Sequence, residues 1–275
     1  MVQLSTVFLF ILAISGVTNM KVVAIIPARY ESSRFPGKPL SDIMGRPMIW
    51  WVYQHCSMVP ELSEVIVATD DERIRQACIE YNMNVVMTSE DNQTGTDRVC
   101  EVAEMISADL YVNVQGDEPL MEPAVISAAI KPFFDDNTLL VSNCMTRIKD
   151  PIDVVNFTIP KVITNRDGFA IYLTRTTAPY PKGSISYNYY KQVCVYGFRP
   201  SALKFFKDYG KRYGKAKIEE IEDIEILRFI ENGYRVKMLE VESDTVAVDT
   251  PKDLKKVCKI VECLTAKGMM DVKIE

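Results

Sequence analysis

The chain has 275 residues, of which 48% are hydrophobic and 25% are charged, and its net charge is −5. This balance is typical of a globular protein with one large or two small domains. It argues against a nucleic-acid-binding surface, because no dense basic stretch is present. The seven cysteines form no CxxC pair and His55 is the only histidine, so neither a zinc site nor a histidine-based triad is favoured.

The first nineteen residues contain an uncharged apolar run from Val7 to Val17. The run is shorter than the roughly 20 residues of a spanning helix, and no Lys or Arg precedes it as in a signal peptide. The favoured interpretation is that Met20 is the working start, with a membrane anchor or a degenerate signal as alternatives. We therefore expect an extension at 1–19, one domain at 20–275, and a cytoplasmic protein.

From Lys21 onward, short apolar runs alternate with helical patterns. The predicted strands are 22–26, 65–68, 85–87, 110–114 and 139–142, and the predicted helices between them are 47–57, a helix ending near 81, 96–106 and 123–134. Continuous apolar runs are typical of strands buried on both faces of a parallel sheet. The pattern therefore predicts an α/β fold, with a mostly parallel sheet and helices on both faces.

After about residue 150 the pattern becomes richer in β segments. Strands are predicted at 161–163, 169–173, 193–198 and 235–241, and helices at 218–231 and 251–264. The sequence Asn165-Arg166-Asp167-Gly168 is typical of a hairpin turn.

Polar residues follow several of the predicted strands directly. Arg29, Asp70, Thr88 and Asp117 each come just after a strand. Ligands of open α/β sheets bind beyond the carboxyl ends of the strands, so we expect these residues to converge on one edge.

The loop after the first strand carries three cations, Arg29, Arg34 and Lys38, together with Gly37. Guanidinium and ammonium groups donate to phosphate oxygens, and glycine allows close approach of the backbone, so the loop suits a polyphosphate. A solvated basic loop is the alternative. The GxGxxG and GxxxxGK[ST] motifs are absent, which argues against a Rossmann dehydrogenase or a P-loop NTPase.

Two aspartates complete the predicted site. Asp117 lies in a turn after a buried strand, and Asp249 precedes Thr250 and Asp253, which match a capping box for the last helix. Capping accounts for Thr250 and Asp253 but does not require Asp249. Two carboxylates from distant segments beside a phosphate loop predict a Mg²⁺ site for phosphoryl chemistry.

Taken together, five segments resemble the 3-deoxy-manno-octulosonate cytidylyltransferase family, also called CMP-Kdo synthetases. They are PARYESSRFPGKPL, VATDDERI, TSEDNQTGTDR, NVQGDEPL and VDTPKDL, and the resemblance runs from Met20 to near Cys263. It implies a Rossmann-like, nucleotide-diphospho-sugar transferase-like fold with an inserted β-rich dimerisation region, and a homodimer. The implied reaction transfers cytidylyl from CTP to the anomeric hydroxyl of 3-deoxy-manno-octulosonate (Kdo), for lipopolysaccharide or cell-surface polysaccharide synthesis.

The resemblance also implies roles for individual residues. Phosphate and nucleotide contacts are assigned to Arg29, Arg34, Lys38, Arg98 and Gln115, magnesium to Asp117 and Asp249, and the sugar to Arg175, Gln192, Tyr196, Glu222 and Glu225. Of these, Arg29, Lys38, Asp117 and Asp249 are the candidate catalytic residues.

Two departures fall in the sugar half. Gln192 stands where the family usually has histidine, and Ile226 lies in a stretch that usually reads Leu-Glu-Gln-Leu-Arg. The acceptor is therefore Kdo or a variant such as 8-amino-Kdo or a sialic-type ulosonic acid. A nucleotidyltransferase for a sugar 1-phosphate and a non-catalytic nucleotide-binding protein are further alternatives.

Overall fold

The structure, a computed structural model, describes residues 20–32, 35–183, 187–243 and 245–267. Arg34 and the apolar run Val7–Val17 lie outside these ranges. Within them, no helix combines the length and the apolar character that crossing a bilayer requires.

A nine-stranded mixed sheet forms the centre of the protein, and a short two-stranded sheet lies beside it. The strands are β1 (Val22–Ala28), β2 (Asp42–Ile43), β3 (Arg46–Pro47), β4 (Glu64–Thr69), β5 (Val85–Met87), β6 (Leu110–Val114), β7 (Val141–Arg147), β8 (Lys161–Thr164), β9 (Ala170–Thr174), β10 (Tyr190–Phe198) and β11 (Val236–Glu240). The order is β11-β7-β10-β6-β1-β4-β5, and β8 and β9 extend from β10. All strands of the main path run in one direction except β10, which is antiparallel to β6 and β7. The predicted mostly parallel α/β fold is thus confirmed.

The helices cover both faces of this sheet. They are α1 (Met48–Ser57), α2 (Glu72–Glu80), α3 (Gly95–Met105), α4 (Pro123–Ile130), α5 (Pro132–Asp135), α6 (Pro151–Val155), α7 (Pro200–Tyr213), α8 (Lys217–Glu222), α9 (Leu227–Glu231) and α10 (Pro251–Ala266), with a 3-10 turn at Lys38–Leu40. Alternate residues of β1 enter two separate cores: Val22, Ala24 and Ile26 pack with α1, α2 and α4, while Val23 and Ile25 pack with α3, α7 and α9. Burial of β1 on both faces explains its continuous apolar sequence.

The last helix, α10, is attached through a third and smaller core. Val257 and Val261 of α10 pack with Ile43, Met48 and Trp51. Thr250 and Asp253 form the predicted capping box at its first turn, with the Thr250 hydroxyl donating to Asp253 Oδ2 over 2.7 Å. This end of α10 fixes the position of the preceding residue, Asp249.

The predicted helix 218–231 is wrong as a single element. The structure has two short helices, α8 and α9, because Asp223 ends α8 in the left-handed conformation with φ of 50°. Arg228 of α9 and Glu219 of α8 form a buried ion pair at 2.6 Å, which holds the two helices together across the break. The helix α7 was not predicted at all.

The region between residues 150 and 200 forms a hairpin that joins the sheet. Strands β8 and β9 are antiparallel around the predicted turn at Asn165–Gly168, where Gly168 N–H donates to Asn165 O. Strand β10 contains an irregularity between Val193 and Tyr196, where its register with β7 shifts. The predicted strands and hairpin of this region are confirmed.

Candidate active site

A cavity of about 330 Å³ opens beyond the carboxyl ends of β1 and β6. It is large enough for a small-molecule ligand. Its lining includes seven of the residues predicted to bind nucleotide, phosphate, metal or sugar, namely Arg29, Lys38, Arg98, Gln115, Asp117, Glu225 and Asp249. Of the four residues expected to converge on this sheet edge, Arg29 and Asp117 line the cavity, while Asp70 and Thr88 contact Arg98 of its lining.

A hydrogen bond between Gly37 and Tyr30 joins the two ends of the segment after β1. Gly37 N–H donates to Tyr30 O over 2.8 Å, and Gly37 adopts φ of 69°. A Cβ at Gly37 would lie 3.0 Å from the Tyr30 ring, so glycine is required here on both counts. Arg73 of α2 stacks on the other side of the loop, with its Cζ 3.2 Å from the Tyr30 ring centroid. Tyr30 and Gly37 therefore fix the positions of their chain neighbours, Arg29 and Lys38.

The ammonium group of Lys38 lies between the two predicted metal ligands. Lys38 Nζ is 2.9 Å from Asp117 Oδ2 and 3.7 Å from Asp249 Oδ1. Residues 132 positions apart in the chain thus bring two carboxylates to the same cation.

Backbone contacts fix the segments that carry these carboxylates. Val248 N–H donates to Asp117 O over 2.8 Å, which joins the two segments directly. Gly116 allows the turn after β6 to approach β1, because a Cβ there would be 2.9 Å from Pro27 O. Glu118, next in the chain, is buried, and burial together with the charge of Asp117 raises its pKa to about 7.

The two aspartates fit a Mg²⁺ site to which the protein supplies only one or two carboxylates. Among the described residues, no group of three or more His, Cys, Asp or Glu side chains is arranged to hold a metal. Mg²⁺ commonly takes only one or two protein carboxylates and completes its shell with water and substrate phosphates. Oxygens of Asp117 and Asp249 beside a cavity with phosphate-binding cations match that donor set.

Arg98 lines the cavity but its guanidinium group is engaged by protein. It is 3% exposed, donates to Asp70 Oδ2 over 2.6 Å and also hydrogen-bonds to Thr88 Oγ1. Arg98 therefore cross-links the ends of β4 and β5 beside the cavity. Gln115 lies next to Gly95, where a Cβ would be 3.2 Å from Gln115 Nε2.

Of the five residues predicted to contact the sugar, only Glu225 lines the cavity. Its carboxylate accepts a hydrogen bond of 3.0 Å from Thr96 N–H at the start of α3, and burial raises its pKa. Glu225 thus links the segment between α8 and α9 to α3, whose first residue Gly95 lines the cavity.

Arg175 and Glu222 form a structural cluster next to the cavity. Glu222 accepts hydrogen bonds from Thr174 Oγ1 (2.7 Å), Arg175 N–H (2.9 Å) and Tyr172 Oη (3.2 Å). The Arg175 guanidinium donates to the backbone carbonyls of Glu222, Thr158 and Asp223. In this conformation its donors join three segments rather than face the cavity.

Gln192 and Tyr196 flank the irregularity in β10. Gln192 Nε2 donates to Asn143 Oδ1 over 3.0 Å, and Tyr196 is 8% exposed and stacks on Phe198. Burial raises the pKa of the Tyr196 hydroxyl well above its usual value. Neither side chain is part of the cavity lining, so their predicted sugar contacts stay predictions.

Two charged residues of the cavity were missed by the sequence reasoning. Lys215 and Asp223 line it, with Lys215 Nζ 3.5 Å from Asp223 Oδ1. Lys215 belongs to no motif, whereas Asp223 lies between the predicted Glu222 and Glu225 and reaches the cavity because α8 ends there. Asn92, Gln93 and Thr94 also line it, and only their presence in a family-like segment could have indicated this.

A family model described as cytidylyltransferase matches residues 23–241. The chain belongs to this family. The predicted family resemblance is confirmed more narrowly by relatives called 3-deoxy-manno-octulosonate cytidylyltransferase. The one from Geotalea uraniireducens (strain Rf4) is 43% identical over 251 residues, covering 86% of this chain and 98% of the relative. The one from Fusobacterium nucleatum subsp. nucleatum is 37% identical, covering 88% and 98%.

The cytidylyltransferase fold is also found in solved structures. A CMP:2-keto-3-deoxy-manno-octonic acid synthetase complexed with CTP has a TM-score of 0.83 and 36% identity, covering 88% of this chain and 99% of that one. The 4-diphosphocytidyl-2C-methyl-D-erythritol synthase from Anaerococcus prevotii has a TM-score of 0.59 and 16% identity, a likeness of fold alone.

Proposed function

We propose that this protein transfers the cytidylyl group of CTP to the anomeric hydroxyl of 3-deoxy-manno-octulosonate, giving CMP-Kdo and pyrophosphate. One observation carries the proposal: Lys38, Asp117 and Asp249 meet in one cavity, in a chain 43% identical to a relative called 3-deoxy-manno-octulosonate cytidylyltransferase. The activated sugar would supply lipopolysaccharide or another surface polysaccharide, and the supply of CTP places the reaction in the cytoplasm.

The proposed chemistry is an in-line displacement at the α-phosphorus. The sugar hydroxyl attacks the α-phosphorus and releases its proton to water. The bond from the α-phosphorus to the bridging oxygen breaks, and pyrophosphate leaves with the electron pair. Arg29, Arg34 and Lys38 bind the triphosphate and stabilise the negative charge that develops on its oxygens. Asp117 and Asp249 would hold Mg²⁺, which supplies charge stabilisation and lowers the pKa of a bound hydroxyl.

The nucleotide side is proposed to involve Gln115 directly and Arg98 indirectly. Arg98 is held by Asp70 and Thr88, so its contribution is to fix the cavity wall. The Gln115 side chain is uncharged and lies against Gly95 at the start of α3.

The sugar side is proposed to include Glu225, Lys215 and the Arg175–Glu222 cluster. The acceptor carries a carboxylate, and Lys215 is the cation that the segment between α7 and α8 brings to the cavity. Arg175 supports this wall through the Asp223 carbonyl and would contact the carboxylate only by exchanging backbone partners. Gln192 and Tyr196 remain proposed sugar residues on the resemblance alone.

We also propose a homodimer that uses the surface around α6 and β9. The side chains of Ile152, Val155, Phe157, Ile171 and Ile221 are more than half exposed there. Arg175 joins the segments that carry them through the carbonyls of Thr158 and Glu222. Exposed apolar residues on neighbouring segments are typical of a protein interface.

The test is pyrophosphate release by the full chain with CTP, Mg²⁺ and each of Kdo, 8-amino-Kdo and N-acetylneuraminate. We expect release with Kdo, and a faster rate with 8-amino-Kdo would instead assign the variant acceptor. A second arm replaces CTP with UTP or TTP and adds a sugar 1-phosphate. Activity only in that arm would replace the proposal with the sugar 1-phosphate alternative, and CTP binding without release in any arm would support a non-catalytic nucleotide-binding protein.

A further inference from the structure

Glu118 is a buried carboxylate next to Asp117 that is not part of the cavity lining. It is 6% exposed, so it cannot contact the substrate as the cavity stands. A buried carboxylate is costly unless several donors satisfy it, so its partners indicate what it does. Hydrogen bonds join Glu118 and its turn to two other segments of the chain.

The first partner is Thr245, whose hydroxyl donates to Glu118 Oε2 over 2.7 Å. Thr245 lies four residues before Asp249 in the segment between β11 and α10. Val248 N–H of the same segment donates to Asp117 O over 2.8 Å, which is a second hydrogen bond to the turn after β6. Glu118 thus gives the Asp249 segment a second attachment to the Asp117 turn.

The second contact is made by the turn that carries Glu118, where Gln115 N–H donates to Cys194 O over 3.4 Å. Cys194 lies within the irregularity of β10, where two residues have no partner on β7. An irregularity of this kind frees backbone groups from the ladder and is common beside active sites.

The irregularity is itself supported from β7. Asn143 Nδ2 donates to both Val193 O and Val195 O over 2.9 Å, and Asn143 Oδ1 accepts from Gln192 Nε2. Asn143 is fully buried, so this arrangement is part of the core. Hydrogen bonds therefore connect Gln192, Asn143 and the β10 backbone to Gln115, at the start of the turn that carries Asp117 and Glu118.

We propose that Glu118 is a positioning residue that sets the placement of Asp117 relative to Asp249, and so sets the affinity of this pair for a divalent cation. The inference rests on the proposed function for the identity of the pair. Groups that orient metal ligands typically change metal affinity 10–100-fold when they are removed. Thr245 has the same role, because the hydrogen bond from its hydroxyl to Glu118 connects the Asp249 segment to the Asp117 turn.

The test compares Glu118→Gln and Thr245→Val with the matched control Thr245→Ser, which keeps the hydroxyl. Glutamine has one acceptor oxygen where glutamate has two, and a neutral amide oxygen accepts a weaker hydrogen bond from the Thr245 hydroxyl than a carboxylate does. The first readout is the dissociation constant for Mn²⁺ added to each protein, followed by electron paramagnetic resonance. We expect it to rise about tenfold in Glu118→Gln and Thr245→Val and to stay within twofold of wild type in Thr245→Ser.

The second readout separates positioning from a general loss of structure. In the two affected variants, the Mg²⁺ concentration for half-maximal rate rises about tenfold while the rate at saturating Mg²⁺ stays within threefold of wild type. A rate that is lowered equally at all Mg²⁺ concentrations would overturn the inference. If Glu118→Gln fails to fold by circular dichroism, Thr245→Val carries the test.

Asp117→Asn distinguishes failure of the inference from failure of the proposed function. Wild-type Mn²⁺ binding that equals that of Asp117→Asn would overturn the inference, because there would be no carboxylate pair to position. Mn²⁺ affinity unchanged in both Glu118→Gln and Thr245→Val would overturn it as well. If the variants bind Mn²⁺ as expected but wild type releases no pyrophosphate, the positioning role stands and the proposed reaction falls.

Discussion

Lys38 and the two aspartates place one positive and two negative charges together beside the cavity. The ammonium lies 2.9 Å from Asp117 and 3.7 Å from Asp249, so it offsets part of their negative charge. A triphosphate with its metal brings both negative and positive charge to the same place. Asp117 and Asp249 would hold Mg²⁺, which would supply positive charge beside the phosphates, and Lys38 would donate to phosphate oxygens.

At this scale we predict that Asp117→Asn lowers the turnover number by at least about 10²-fold, since catalysis of this type depends on preorganised charge. The change keeps the size of the side chain, so circular dichroism and the thermal midpoint should match wild type. Asp208→Asn is the matched control, because Asp208 pairs with Lys204 on the surface. Pyrophosphate release at saturating CTP and Mg²⁺ measures both. Activity in Asp117→Asn close to that of the control would contradict the assigned role.

At the scale of elements, the connection between α8 and α9 shapes the cavity wall that is proposed to bind the sugar. Asp223 ends α8 in a left-handed conformation, and the buried pair of Arg228 and Glu219 closes the angle between the two helices. Arg228 also lies 3.5 Å from the centroid of the Phe206 ring of α7. This ion pair therefore holds the segment carrying Asp223 and Glu225 against the core.

We predict that Arg228→Met lowers the free energy of unfolding by about 3 kcal/mol, because it leaves the Glu219 carboxylate buried and unpaired. Urea unfolding followed by circular dichroism measures the change. In the double variant Glu219→Leu with Arg228→Met much of the loss should return, since a buried pair can be replaced by apolar residues at little cost. Lys204→Met, which removes a surface pair, should leave the midpoint unchanged. Equal effects of Arg228→Met and Lys204→Met would refute the interpretation.

The same elements show what a sequence can and cannot reveal. Strands such as β1 and β6 were predicted well because their burial on both faces requires continuous apolar runs, and the loops after them carry the site. The break at Asp223 could not be predicted, because residues 218–231 read as one helix and the buried Glu219–Arg228 pair that joins its two halves depends on the folded arrangement. Gln192 was predicted as a sugar contact, yet its amide bonds to Asn143, a partner that depends on the irregularity in β10.

At the scale of the whole molecule, two cores on opposite faces of one sheet support a single cavity edge. The residues proposed to bind the nucleotide come from loops after parallel strands, where topology alone brings them together. The residues proposed for the sugar depend on α8, α9 and the β8–β9 hairpin, which contact one another through Arg175 and Glu222. The apolar surface proposed for dimerisation lies on that second set of elements, so assembly and acceptor binding would share a wall.

We predict that Phe157→Glu converts the dimer into a monomer. The Phe157 side chain is 74% exposed in the single chain, so the change should not disturb folding, but it would place a charge within the proposed interface. Sedimentation velocity over a range of concentrations measures the assembly state. Ile79→Glu is the control, because Ile79 is half exposed on α2 and away from this surface. A wild-type protein that sediments as a monomer at all concentrations would refute the proposed dimer.

The helix α10 offers a practical use of this architecture. It begins beside Asp249 and carries the exposed Cys263 about 20 Å further along its axis, at 1.5 Å per residue. Cys56, Cys78, Cys100 and Cys144 are buried, and burial raises the pKa of each of these thiols, which keeps them unreactive. A fluorophore attached at Cys263 would thus sit at a fixed distance from the metal end of the cavity. Paired with a fluorescent CTP analogue, it would turn the last helix into a molecular ruler for following nucleotide arrival and product departure in real time.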